Sequence, residues 1–427
     1  VRNLPFVLNL PCNGVTARAV IRSMIIQRTN TLAILDIGSS KFVCVIGRIG
    51  QNNVLQILGV GHRAANGVRS GIITDIGMAA QALKEAIGAA EIAANERIRT
   101  ISVNLSSNVL LSQRASSELN IVGREITYKE LDKLMFDNLQ PYQKQQLNII
   151  HSFAFDYTLD GKHGINNPLG MYGNTLVCDT HIVASPSNLL LNIFNCVYRC
   201  KVDVTHYVSS AYATGLACLT SDEKKFGVVL IEFGGGSTSI SIFENNQMIF
   251  TDGIPIGGIV VTHDVAKGLR TTFAHAERIK TLYGGVFATT SDNDEMIEVP
   301  LTDEWESDTV LISRNLLIEI MSARIEEIIE LVMLKLKDSH LQYSNRIVIT
   351  GGGAQVPGLK ELVSETLVAR TRIGGPQVLQ NMEYYDPSFA TATGMMMHAM
   401  DYSLDKKQTG THRKGFLKLI QELIDGK

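Results

Sequence analysis

Three short glycine-bearing stretches carry residue types suited to handling phosphate. Asp36-Ile37-Gly38-Ser39-Ser40-Lys41, Glu232-Phe233-Gly234-Gly235-Gly236-Ser237-Thr238 and Gly351-Gly352-Gly353 each follow an apolar run that reads as a strand. Glycine lets the backbone approach phosphate oxygens and accept positive φ. Successive exposed N–H groups in such a turn attract anions. Asp36 and Glu232 stand at strand ends, immediately before a turn. A carboxylate there suits a hydrated Mg²⁺ held through water between β- and γ-phosphates. Ser39, Ser40, Lys41, Ser237 and Thr238 add side-chain donors. One such turn alone is more often a structural bend. Three in this order and spacing are a stronger signal, because their order matches one fold.

The elements around these turns repeat. Thr31 to Gly47 reads strand, turn, strand, followed by a third strand at Val54 to His62. A helix from Asp75 to Asn95 is predicted by Ile76, Ala79, Leu83, Ile87 and Ala90, and a strand at Thr100 to Leu105 closes the block. The same grammar returns 196 positions later, from Phe226 through the strand Gln247 to Asp252 and a helix after Gly257-Gly258. Two copies predict two related lobes whose turns face one cleft.

Between the copies, residues 106–180 read as an inserted small α+β subdomain, with a helix from Thr127 to Leu139 opened by the capping box Thr127/Glu130. Lobe I (31–105) resumes over 181–220 with the strand His181 to Ala184, the helix Ser187 to Arg199 and a small-residue connecting helix, Ser209 to Leu219. Lobe II spans 221–400, with its own insertion near 270–312, the amphipathic helix Ser313 to Asp338 and a small-residue helix, Ser388 to Met400. A polar linker, 401–412, leads to residues 413–427. Residues 1–30 carry four arginines and no acid. Their apolar stretch is too short and proline-broken for a signal peptide, so a disordered extension is expected, with Met24 as an alternative start.

Composition narrows the function classes. The 427 residues are 45% hydrophobic and 19% charged, which excludes wholesale disorder. A net charge of -3 speaks against a generic nucleic-acid binder. No apolar stretch is long enough to span a membrane. The six cysteines make no Cys-x-x-Cys pair and read as core residues. His181 and His206 read as structural histidines, the charges of the 313–338 helix as a solvated face, and Met395-Met396-Met397 as packing.

Together the motifs resemble the actin-like two-lobed ATPase fold, an α/β architecture of duplicated ribonuclease-H-like lobes. Asp36 to Lys41 resembles its first phosphate motif, Glu232 to Thr238 its second, and Thr350-Gly-Gly-Gly-Ala its adenosine motif. Ser209 to Ala217 and Ala390 to Met396 resemble its connecting helices. Within that fold, the chain from about Thr31 is similar to the bacterial cell-division family FtsA. The 106–180 insertion falls where that family carries its own subdomain, and Asn167-Pro-Leu-Gly looks like that subdomain's loop. Gly253-Ile-Pro-Ile-Gly-Gly and Ala276 to Gly284 are also similar.

The resemblance implies ATP with Mg²⁺ as ligands, Glu277 and Lys280 at the ribose, and Asp36 and Glu232 as metal-facing and candidate catalytic groups. It also implies FtsZ, other division proteins, further copies of the chain in protofilaments and membrane lipid as partners, at the cytoplasmic face of the inner membrane. FtsZ contact is expected near the 270–312 insertion. The chain departs from the family where Glu232 and Ser239 replace two usual aspartates, which leaves hydrolysis open while backbone binding of phosphate survives. Two rivals are a PilM-like actin-fold scaffold and a sugar-kinase-type enzyme of the same superfamily. The second would need a catalytic Asp beside the cleft, and no such motif is found.

The C-terminal stretch places Phe416, Leu419, Ile420, Leu423 and Ile424 at i, i+3, i+4, i+7 and i+8, with Leu417 widening the face and Arg413 and Lys414 at its start. A helix docked on the protein's own core and one lying in a membrane interface both fit this pattern. The family resemblance favours the membrane.

Overall fold

The computed structural model describes residues 31–50, 53–145, 147–301, 309–341, 344–376 and 386–408. The 1–30 extension and the 413–427 segment, with its six apolar side chains, lie outside the described residues.

Lobe I opens with β1 (Thr31–Ile37), β2 (Lys41–Ile49) and β3 (Leu55–Ala64), then the small hairpin β4 (Val68–Arg69) and β5 (Ile72–Ile73), helix α1 (Ile76–Ala94) and β6 (Thr100–Leu105). The insertion contributes β7 (Leu111–Glu125), α2 (Tyr128–Lys144), β8 (Leu147–Leu159) and β9 (Tyr172–Pro186). Lobe I resumes with α3 (Ser187–Arg199) and β10 (Asp203–Ser209), and α4 (Ser210–Cys218) crosses over. Lobe II contains α5 (Ser221–Phe226), β11 (Val228–Phe233), β12 (Thr238–Glu244), β13 (Gln247–Ile254), α6 (Gly258–Leu269) and α7 (Phe273–Tyr283). It continues through β14 (Met296–Pro300), β15 (Thr309–Ser313), α8 (Arg314–Asp338), β16 (Arg346–Thr350), α9 (Leu359–Thr366) and β17 (Arg370–Ile373). Helix α10 (Ala390–Gln408) crosses back.

The two central sheets share one plan. Their orders are β10-β6-β1-β2-β3 and β13-β12-β11-β16-β17. In each, the first strand pairs antiparallel with the second and parallel with the fourth. Strands β1 and β11 are near-continuous apolar runs because helices cover both faces. Helix α1 is capped by Asp75, whose side chain accepts the Met78 N–H, and ends at Asn95 in the left-handed region with φ 52°. Its buried Ala79, Leu83, Ala86, Ile87 and Ala90 seat on β3. That seat needs Gly61, where a Cβ would stand 2.1 Å from the Ala86 carbonyl oxygen. Burying Leu83 completely contributes roughly 1.5–3 kcal/mol.

The insertion folds on its own sheet, β7-β9-β8, over a small core that includes Ile121, Leu134, Tyr157 and Leu176. Here the sequence expectation needs correcting. His181 to Ala184 is not a separate strand of lobe I but the end of β9, paired with both β7 and β8. That end and the start of β7 grip the edge strand of lobe II: His181 Nδ1 lies 2.8 Å from the Met248 carbonyl oxygen, and the Thr251 N–H donates to Ser112 Oγ at 3.2 Å. A second correction concerns the linker. Helix α10 runs on to Gln408, so the first part of the 401–412 segment is helical, and a ring contact of Tyr402 with His206 ties it to β10.

Candidate functional site

A cleft of about 770 Å³ opens between the lobes, and all three glycine turns line it. The first two are matching hairpin turns. The Gly38 N–H donates to the Lys41 carbonyl at 3.2 Å, and the Gly234 N–H donates to the Ser237 carbonyl at 3.0 Å. They stand tip to tip. A Cβ on Gly236 would fall 2.4 Å from Ser39 Oγ, and one on Gly235 would fall 2.9 Å from Ser40 Cβ. The second turn is braced by the start of α6, where the Gly258 and Ile259 N–H groups donate to the Gly234 and Gly235 carbonyls at 3.0 and 2.8 Å. Gly351, at the end of β16, holds φ 85° with its backbone against Phe233, which only glycine tolerates there.

The two acids lie at the roots of the facing turns. Asn104 Nδ2 donates to Asp36 Oδ1 at 2.7 Å. Burial, reinforced by the Glu232 charge, pushes the Asp36 carboxyl up to about 7, against the pull of Lys41 and Asn104. Burial also raises Glu232, and the hydroxyls of Thr391 and Thr214 oppose that rise. Lys41 Nζ donates to Ser388 Oγ at 2.8 Å and sits 3.6 Å from the Phe389 ring centroid. Burial holds its ammonium below the usual lysine range.

At the far wall, Lys280 Nζ lies 2.7 Å from Glu277 Oε2 and donates to Thr262 Oγ1 at 2.8 Å. Phe273, Met321, Ile325 and Val356 give that end an apolar lining. A polar pair beside apolar walls suits a nucleoside, while N–H-rich turns suit its phosphates. Among the described residues, no group of three or more His, Cys, Asp or Glu side chains could cage a metal. The donor set present, two carboxylates at the roots of glycine turns, fits a Mg²⁺ that keeps most of its waters.

The cleft brings together Asp36, Gly38, Ser39, Ser40, Lys41, Glu232, Gly234, Gly235, Gly236, Ser237, Glu277, Lys280, Gly351, Gly352 and Gly353. Thr238 is the exception among the predicted residues. It is fully buried and its hydroxyl donates to the Ile256 carbonyl at 2.9 Å, facing the lobe II core. Strand alternation carries the signal, since Thr238 shares a face with Ile240 and Ile242, whereas Ser239 turns to the cleft. Asn104, Ser210, Ser388 and Thr391 also line the cleft and were not anticipated from sequence.

Two lobes of one plan, joined by crossing helices and opposing glycine turns, define an actin-like protein. Solved structures agree on the fold. A chain of a PilM–PilN type IV pilus biogenesis complex gives a TM-score of 0.61 at 15% identity, covering 86% of this chain and 98% of that one. MreB5 of Spiroplasma citri bound to AMPPNP gives 0.55 at 12% identity, covering 89% and 99%.

Family comparisons go further. The model for cell division protein FtsA matches residues 229–394, and that for the SHS2 domain inserted in FtsA matches 108–184. Cell division protein FtsA of Agrobacterium fabrum strain C58 is 35% identical over 387 residues, covering 87% of each chain. That of Neisseria meningitidis serogroup B is 32% identical, covering 87% of this chain and 90% of its own, and that of Escherichia coli K12 is 26% identical with the same coverage. The chain belongs to the FtsA family of cell division proteins.

Proposed function

We propose that this chain is an ATP-binding, actin-like division protein that tethers FtsZ filaments to the inner membrane and self-associates while doing so. The observation that carries the nucleotide half is the tip-to-tip pair of glycine turns with Asp36 and Glu232 at their roots. Backbone N–H groups of both turns would cradle the phosphates, and the two acids would hold Mg²⁺ through water. The metal's role there is to neutralise phosphate charge. Glu277 and Lys280 would meet the ribose, with the apolar wall receiving the base. Titration of labelled ATP tests this directly. A valine at Gly235 would collide with Ser40, so Gly235→Val should abolish binding, and equal affinity in both proteins would refute the site.

Support for the membrane half comes from sequence and family. No described helix is long and apolar enough to cross a membrane. The apolar face of Phe416, Leu417, Leu419, Ile420, Leu423 and Ile424 suits an interfacial helix instead. Such a helix buries its side chains only partly, so one copy binds weakly and assembly supplies the rest through multivalency. Co-sedimentation with liposomes, with and without FtsZ and ATP, checks this. Removal of 413–427 should release the protein without lowering its melting temperature. A truncated protein that still sediments and melts early would mark the helix as structural.

A further inference from the structure

We infer that Thr214 and Thr391 are positioning residues that hold the Glu232 carboxylate at the cleft and so couple Mg²⁺–nucleotide occupancy to the crossing of α4 and α10. This rests on the nucleotide-binding reading above. Thr391 Oγ1 donates to Glu232 Oε1 at 2.7 Å, and Thr214 Oγ1 reaches Glu232 Oε2 at 3.2 Å. The two hydroxyl oxygens are 3.0 Å apart. Thr214 belongs to α4 and Thr391 to α10, and both are buried. One carboxylate therefore takes a hydrogen bond from each of the two helices that join the lobes.

These contacts sit beside the pivot. A Cβ on Gly394 would lie 1.7 Å from the Ala213 carbonyl oxygen, so the helices touch backbone to backbone there. Thr214 follows Ala213 directly, and Thr391 lies about one helical turn before Gly394. Each carboxylate oxygen can accept more than one hydrogen bond. Glu232 and Thr391 both line the cleft, so the carboxylate stands where the cleft meets the two helices. Ordering the carboxylate from the cleft side orders the two hydroxyls, and with them the pivot. The length of the Glu232 side chain acquires a physical reason. Its two methylenes carry the carboxylate from the end of β11 to hydroxyls on both helices.

Labelled ATP is titrated with and without Mg²⁺ against wild type, Thr391→Val, Thr391→Ser and Thr214→Val. Wild type should gain affinity on adding Mg²⁺. Both valine variants should lose most of that gain, about tenfold for the stronger Thr391 contact. Thr391→Ser keeps the hydroxyl and should keep the gain. A wild type that binds no ATP overturns the site reading and this inference together. A wild type that binds, with valine variants showing its full Mg²⁺ gain, overturns the inference alone. So does a serine variant as impaired as valine. Hydrogen exchange on the wild type needs no variant to fold. Amides of α4 and of the start of α10 should gain protection with Mg²⁺–ATP and not with ATP alone, and equal protection in both would refute the coupling.

Discussion

Asp36 and Glu232 occupy equivalent places in the two lobes, each at the end of a first strand and the root of a glycine turn, yet their hydrogen bonds run to different places. Asp36 is held inside lobe I by Asn104, whose Oδ1 also accepts the Ile37 N–H at 2.6 Å. The Glu232 carboxylate, among the described residues, is held from outside its own sheet. Its partners stand on the two helices that leave and re-enter lobe I. A duplicated backbone can thus carry one anchored acid and one that reads the hinge. The lobes meet at a second place as well, where the inserted sheet holds the edge of lobe II through His181 and Arg114.

The comparison breaks most severely at the pivot. Gly394→Ala drives a methyl into the Ala213 carbonyl, so urea unfolding should show a loss of about 3 kcal/mol or more, with the crossing helices exchanging fastest. An unchanged midpoint would mean the helices do not cross as described.

Acid tests the second junction. Burial lowers the His181 pKa to about 4, so the folded protein keeps this side chain neutral where an unfolded chain would protonate it. Its contribution is complete above the unfolded pKa of about 6.5 and is lost as pH falls toward 4, reaching roughly 3 kcal/mol. Melting temperature followed from pH 7 to 4 should drop along this window, and His181→Asn should flatten the slope. His398, also lowered to about 4 by burial, adds in the same direction.

A smaller effect separates the two acids themselves. The Asp36 carboxyl is raised to about 7, so its charge burdens the empty fold increasingly as pH rises from about 4 to 7. Asp36→Asn should therefore stabilise the nucleotide-free protein at pH 8, by about 2 kcal/mol after discounting for solvent. Glu232→Gln should gain less, because it gives up two hydroxyl bonds to a charged acceptor. Thermal melts of the two variants side by side read the difference. Equal gains would mean that the threonines contribute nothing.

Much of this architecture was legible in the sequence, because the residues that make the turns also fix their conformation. Asp75 and Asn95 bound α1 in sequence and structure alike, one as a side-chain cap and the other as a left-handed end. Other features were hidden because they depend on partners far along the chain. The Thr391–Glu232 contact joins residues 159 apart, and no local pattern reports it. The strand β9 runs fifteen residues without a break, so nothing in its period shows that its end stays with the inserted sheet. The 401–408 stretch is largely polar, and polarity alone does not distinguish the end of a helix from a linker. Thr238 differs from these. Its inward face follows from the alternation with Ile240 and Ile242, and its hydroxyl turns to the Ile256 carbonyl and not to the cleft.

The central claim is that phosphate and metal are held between two opposing turns. A crystal structure with a non-hydrolysable ATP analogue and Mn²⁺ in place of Mg²⁺ tests it most directly, since the metal announces itself by anomalous scattering. The account predicts one metal peak between Asp36 and Glu232, bound through water, with phosphate oxygens taking N–H donors from both turns and the base against Met321 and Val356. Phosphates held by one lobe alone, or a metal peak away from both carboxylates, would contradict it.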